Sequence, residues 1–262
     1  MNFRTAIAAS IVCLALVAAT AAIADTIELN PSKDNTLIEE NGAFSNGAGQ
    51  RFFAGLIAQG PARRAVLAFD LSDIPEDSEI KEVTLTLEMT MTIVGPFEHT
   101  LHRLLSDWGE GTSVGTMGEG IGAPATAGDA TWTNTFFPTD FWGTPGGDFV
   151  GSPSASQVVD QFDFYTWGST PELVADVQGW VDDPSSNFGW ILIGDETTIP
   201  SAKAFNSKDN SEPGGRPLLT VTFNPPDDVP AVSMPGLLLL VILMLVAGTF
   251  AARSGIRRAR SL

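Results

Sequence analysis

Gly111-Thr112-Ser113-Val114-Gly115 has the G-x-S-x-G spacing of a nucleophile elbow, in which a serine attacks a carbonyl carbon with the help of a histidine and a carboxylate. The elbow needs a strand before the serine and a helix after it. The residues that follow, GTMGEGIGAPATAG, are too rich in glycine to be helical. In that motif the histidine also follows the serine along the chain, whereas His99 and His102 both precede it. The five residues therefore read as a Gly-rich loop. The two histidines lie three apart in an apolar segment, and on a strand that spacing sends them to opposite faces, so they cannot share one ion. With no HExxH motif, and with Cys13 as the only cysteine, nothing points to zinc. Acidic pairs are plentiful: Glu39-Glu40, Asp182-Asp183, Asp195-Glu196 and Asp227-Asp228. A glycosidase needs two carboxylates across a cleft, but 31 acidic residues make any such pairing uninformative. Loop carboxylates suit a hard cation better, and Asp34, Asp195 and Asp209 are the candidate calcium ligands.

A second chemistry belongs to rings. The segment TWTNTFFPTDFWGTPGGDF, residues 131–149, holds Trp132, Phe136, Phe137, Phe141, Trp142 and Phe149 with only two acids. Exposed flat rings stack on the apolar faces of sugars, and neighbouring polar groups take the hydroxyls, so Trp132, Phe136, Phe137, Phe141 and Trp142 are candidate ligand-binding residues. The competing reading is that these rings cover an open end of the fold, which is the commoner use of large aromatics.

The elements that must position these residues are mainly strands. Lys81 to Val94, KEVTLTLEMTMTIV, alternates throughout: Val83, Leu85, Leu87, Met89, Met91 and Ile93 face one way, and Thr84, Thr86, Glu88, Thr90 and Thr92 the other. Period two with a Thr-rich side predicts a half-buried strand of an antiparallel sheet. Further strands are expected at TIEL from Thr26, RFFAGL from Arg51, RAVLAFDL from Arg64, HTLHRLL from His99 and QFDFYTW from Gln161. GWILIG from Gly189, KAFNS from Lys203 and LLTVTF from Leu218 complete the set. One helix is expected in STPELVADVQGWVDDP, with Ser169 or Thr170 as its cap, Pro171 in its first turn, and Leu173, Val177, Trp180 and Val181 on one face. Asp183-Pro184 ends it. Trp180 and Trp190 are expected in the core. Many short strands with one short helix predict an all-β, antiparallel β-sandwich of jelly-roll type. Ser106 to Gln157 is a long Gly-, Ala-, Pro- and Thr-rich stretch of the kind that carries function.

Both ends read as targeting devices. Arg4, an apolar run and Ala22-Ile23-Ala24 form a secretory leader, residues 1–24, cut between Ala24 and Asp25. The body, residues 25–228, then carries no thiol and must be stabilised by burial. Residues 229–235 form a linker, and Gly236 to Ala252 is an uncharged run of seventeen residues, roughly 25 Å as a helix and enough for a thin bilayer. Arg253, Arg257, Arg258 and Arg260 follow in the basic tail, 253–262, which keeps that side cytoplasmic and the body outside. Five of the 14 Lys and Arg lie in these ends, so the body holds nine cations against all 31 acids, a net charge of −22. Such a body repels nucleic acid and anionic lipid, and it suits divalent cations or neutral partners.

The tail around Val229-Pro230-Ala231-Val232-Ser233-Met234-Pro235-Gly236 resembles the sorting tails of the PEP-CTERM and IPTL-CTERM kind, which implies processing by an exosortase; a plain single-pass anchor is the alternative. The body is similar to the DNRLRE domain of exported bacterial proteins, which overlaps a carbohydrate-binding module family with alginate-binding members. The resemblance rests on DTIEL, Asn46-Gly47 and RAVLAFDLSDIPEDSEIKEVTLTLE, then Trp108-Gly109-Glu110-Gly111, Thr131-Trp132, PGGDF, VQGWVDDPSSNFGWIL and RPLLTVTF. It implies a jelly-roll sandwich with surface or polysaccharide-related roles and no catalysis. The expectation is a non-enzymatic, anchored protein that binds extracellular polysaccharide, with calcium as a candidate structural ion. A matrix protein assembling through protein contacts or calcium bridges is the alternative, and a polysaccharide lyase or hydrolase has no set of residues to rest on.

Overall fold

A computed structural model of the chain describes residues 24–226 except 41, 93, 94 and 117. The leader before Ala24, the apolar run from Gly236 to Ala252 and Arg253, Arg257, Arg258 and Arg260 lie outside these residues. Among the described residues, no helix is long and apolar enough to cross a membrane.

The described chain is mostly antiparallel β with one α-helix. Its strands are β1 (Asp25–Leu29), β2 (Lys33–Ile38), β3 (Phe44–Ser45), β4 (Arg51–Leu56), β5 (Ala62–Ala68), β6 (Glu79–Thr92), β7 (Phe97–Arg103) and β8 (Ala123–Pro124). There follow β9 (Asn134–Phe136), β10 (Asp140–Phe141), β11 (Ala155–Val159), β12 (Asp163–Gly168), the helix α1 (Pro171–Asp182), β13 (Trp190–Ile193), β14 (Lys203–Asn206) and β15 (Leu218–Asn224). Eleven strands form one curled sheet that doubles back on itself. One half runs β1-β15-β6-β14-β4, with β12 also on β6, and the other contains β2, β5, β13, β7 and β11. β4 joins them: Arg51–Ala54 pair with β14, and Gly55 and Leu56 pair with β5. Gly55 sits at that corner with φ +111°, and a Cβ there would press on the Ala202 backbone, so the bend requires glycine.

The alternation of β6 decides what the halves enclose. Val83, Leu85, Leu87 and Met89 point inward and meet Phe52, Leu67, Leu101, Trp167, Trp190 and Phe205 in the principal core. Burying each such side chain contributes about 1.5–3 kcal/mol. Met91 departs from the pattern. It lies beyond the end of the β12 pairing at Met89 and is 40% exposed. Helix α1 closes one end as its spacing predicts: Thr170 accepts from the Leu173 amide at 3.1 Å, and Leu173, Val177, Trp180 and Val181 are buried.

The outer face of β2, β5, β13 and β7 is not open to solvent along its whole length. The long segment after Ser106 folds across it and builds a second core, in which Trp108, Ala130 and Trp142 pack on Leu37, Val66, Ala68, Leu104 and Ile191. Trp132, Phe149 and Ile193 flank this core. Asn35 pins the segment from beneath. Its fully buried amide donates to the Glu110 carbonyl at 2.8 Å, and its carbonyl oxygen accepts from Thr36 N, Ser45 Oγ and Asn46 N. Buried polar groups this fully satisfied hold a loop as firmly as apolar packing does.

Candidate functional site

Where that covering segment ends, the outer face of β5, β7 and β13 opens into two hollows. One, of about 500 Å³, is lined by Arg64, Leu105, Thr144, Pro145, Gly147, Asp148 and Phe149. The other, of about 370 Å³, is lined by Glu98, Thr100, Ile193 and the turn Gly194–Thr197. Arg64 lines the first and Glu196 the second, and they join in a bidentate pair: Nε to Oε1 at 2.7 Å and Nη2 to Oε2 at 2.8 Å. The pair therefore forms the shared wall of the two hollows. Arg64 Nη1 donates to the Gly146 carbonyl at 2.9 Å, and the guanidinium lies 4.8 Å from the Trp132 ring and 5.5 Å from the Phe149 ring. Charge-assisted bonding and stacking fix this arginine as part of the wall.

The candidate rings are distributed unevenly. Trp142 is only 5% exposed and donates its indole N–H to the Thr131 carbonyl at 2.9 Å, so neither face is free to stack on a ligand. Trp132 is half-buried behind Arg64, and Phe136 and Phe137 are half-buried on and after β9. Phe141, 66% exposed on β10, is the one of the five that projects freely. The ring that lines a hollow is Phe149.

Two of the three calcium candidates come together, and Asp195 stands apart. Asp34 on β2 and Asp209 after β14 meet Glu110 in the loop after Trp108, with one ligand oxygen from each within 4.8 Å of the others. Two oxygens on opposite sides of a calcium ion lie about 4.6–5.2 Å apart, so the trio is compatible with one hard cation. Glu110 is the member that sequence reasoning did not choose; Trp108-Gly109-Glu110-Gly111 was visible only as a pattern. A Cβ on Gly47 would collide with the Glu110 carbonyl oxygen, so the Asn46-Gly47 turn seats this loop. Lys208 already serves the trio as an internal cation. Its Nζ lies 3.2 Å from Glu110 and 3.0 Å from Asp209, and its amide donates to Asp34 at 2.7 Å. An entering metal ion would have to displace that ammonium. Burial raises the Asp34 carboxyl from 3.8 to about 8, against the opposing pull of the Lys208 amide. Burial likewise raises Glu110 above its ordinary value. Asp195 belongs to the groove, where hydrogen bonds from Thr197 and Thr198 lower its carboxyl to about 2.

The remaining reactive residue types are accounted for by structure. His99 is buried in the core, edge-on to Phe205, while His102 faces the opposite side against Phe149. Ser113 is buried in the Gly-rich loop. No protein-family model and no curated protein matches the chain.

Proposed function

We propose that the chain is a non-catalytic, exported jelly-roll sandwich of the DNRLRE type, held at the membrane by residues 236–252, whose body binds extracellular polysaccharide. The observation that carries this reading is the paired hollow on the outer face of β5, β7 and β13. There the hydroxyl of Thr144, the carboxylate of Asp148 and the ring of Phe149 line one hollow, and the hydroxyl of Thr100 and the carboxylate of Glu98 line the other. A chain crossing the Arg64–Glu196 wall would follow both as one groove. A sugar chain presents hydroxyl donors and acceptors on its edges and C–H surfaces on its faces, and a groove mixing polar groups with a ring suits both. In this reading glycan contact moves from Trp132, which backs Arg64, and Trp142, which fills the second core, to Phe149, Thr144 and Thr100. Calcium, as a proposed structural ion, belongs to Asp34, Glu110 and Asp209, where it would fasten the Glu110 loop of the covering segment to β2. Processing of the tail by an exosortase-type enzyme, before or after this binding, is part of the same proposal.

Electrophoresis of the protein through gels containing polysaccharide tests the reading. Retardation is expected for the wild type, with a loss of about tenfold in affinity for Phe149→Ala or Thr144→Ala, about 1.4 kcal/mol. A protein that migrates freely through every gel would remove the glycan assignment and leave surface assembly through protein contacts as the surviving alternative.

A further inference from the structure

Resting on that glycan-binding reading, we infer that the groove takes an uncharged polysaccharide and excludes polyanions. The charged residues lining the two hollows are Arg64, Asp148, Glu98, Asp195 and Glu196, a net formal charge of −3. Arg64, the single cation, is already committed: all three of its nitrogens have protein acceptors, two on Glu196 and one on the Gly146 carbonyl. A uronate or sulfate ester entering here would meet carboxylates on both sides and no unpaired cation.

The rest of the body offers no basic track that could offset this. Among the described residues, Lys33 pairs with Asp107, Arg63 with Glu40, Lys81 with Glu79, Arg103 with Asp176, and Lys208 with Glu110 and Asp209. Lys203 is fully buried, with its ammonium on the Asp160 carbonyl. Arg51 and Arg216 donate to the neutral oxygens of Thr90 and Asn210, outside the groove. A body of net charge −22 then repels a polyanion at long range as well as at contact. Carboxylates are good acceptors for sugar hydroxyls. Glu196 is held by Arg64, Asp148 by the Gly143 and Thr144 amides, and Asp195 by Thr197 and Thr198. Glu98 projects from β7 as the acceptor a neutral chain would meet first. Leu105, Pro145 and Phe149 supply the apolar surface for its C–H faces.

Affinity electrophoresis of the full chain in non-ionic detergent, through gels containing dextran, galactomannan, alginate or chitosan, decides the matter. Each gel is run at low and high salt, and with calcium or a chelator. Retardation by a neutral polymer, changing less than about twofold with salt, is expected. Alginate is expected to leave mobility unchanged. The double variant Glu98→Lys/Asp195→Asn, which brings the lining to neutrality, is expected to gain alginate retardation at low salt. Stronger retardation of the wild type by alginate, with or without calcium, would overturn the inference. So would a salt-sensitive preference for chitosan, or a double variant that binds neutral polymer and still ignores alginate. Free migration in all four gels would remove the glycan reading itself and this assignment with it.

Discussion

Asp34 is 1% exposed, on β2, with two further carboxylates, Glu110 and Asp209, and the Lys208 ammonium in the same cluster. Burial places its carboxyl at about 8, against 3.8 for the free group. Between those values the folded chain holds a proton that the unfolded chain has released. The stability this provides is complete below about pH 4 and is lost as pH rises through 8. His99 acts in the opposite direction, since burial lowers its imidazole from 6.5 to about 4. There the unfolded chain takes the proton first, and stability falls as pH drops from 6.5 to 4. Melting curves across pH 4–9 should show both flanks. Asp34→Asn should flatten the alkaline flank by several degrees and leave the acid flank standing. Calcium competes with the proton at Asp34, so it should raise the midpoint more at pH 8 than at pH 5, and Asp34→Asn should weaken that rise. An alkaline flank unchanged in Asp34→Asn would show that this carboxyl is not its source.

At the scale of elements, the segment after Ser106 behaves as a second layer. Trp142 fills the second core and Trp132 props Arg64, so the two indoles have different jobs. Trp142→Ala should cost about 3–5 kcal/mol, measured by denaturant unfolding, because it empties a closed site. Trp132→Ala should cost clearly less, since its ring is half-exposed; equal losses would mean that the layer is not organised around Trp142. This layer also explains what the sequence concealed. β6 and α1 were legible because each buries one face and wets the other, so period two and period 3.6 survive in the residue pattern. β2 was not, because KDNTLI is covered on both sides, by the core and by the second layer, and its Asp-Asn pair mimics a turn. β11, ASQVV, lacks a clean alternation for a related reason: Val159 is buried while Val158 is left 54% exposed. The site divided in the same way. Asp34 and Asp209 could be chosen as loop carboxylates, but Glu110 is brought to them by the Asn35 and Gly47 contacts, which join residues far apart in the chain. The groove could not be read at all, because Arg64, Thr100, Phe149 and Glu196 meet only after the sheet curls.

The whole molecule has a near end and a far end. β1 starts at Asp25 opposite Phe223, and β15 ends at Asn224 opposite Glu79, so the first and last strands of the described residues begin and end where β6 begins. Met91, at the other extremity of β6, is twelve residues on, about 40 Å along the strand. Phe97 and Glu98 start β7 just after the far turn, so the hollow bearing Glu98 and Thr197 lies towards that end. With residues 236–252 in a bilayer, as proposed, the hollow bearing Glu98 and Thr197 would lie on the side away from the membrane, and the turn before β6 would lie on the side next to it. Such an arrangement would also direct the carboxylates of Glu98 and Asp195 into the medium rather than against lipid headgroups. Fluorophores placed by Glu76→Cys, at the near end, and Gln59→Cys, at the far end, test it in proteoliposomes carrying an acceptor on the lipid headgroup, in a background with Cys13 replaced. Both positions are exposed, so neither change should disturb the core. Energy transfer should be strong from position 76 and weak from position 59. The reverse order, or equal transfer from both, would mean that the body lies on its side and that the groove is not presented outward.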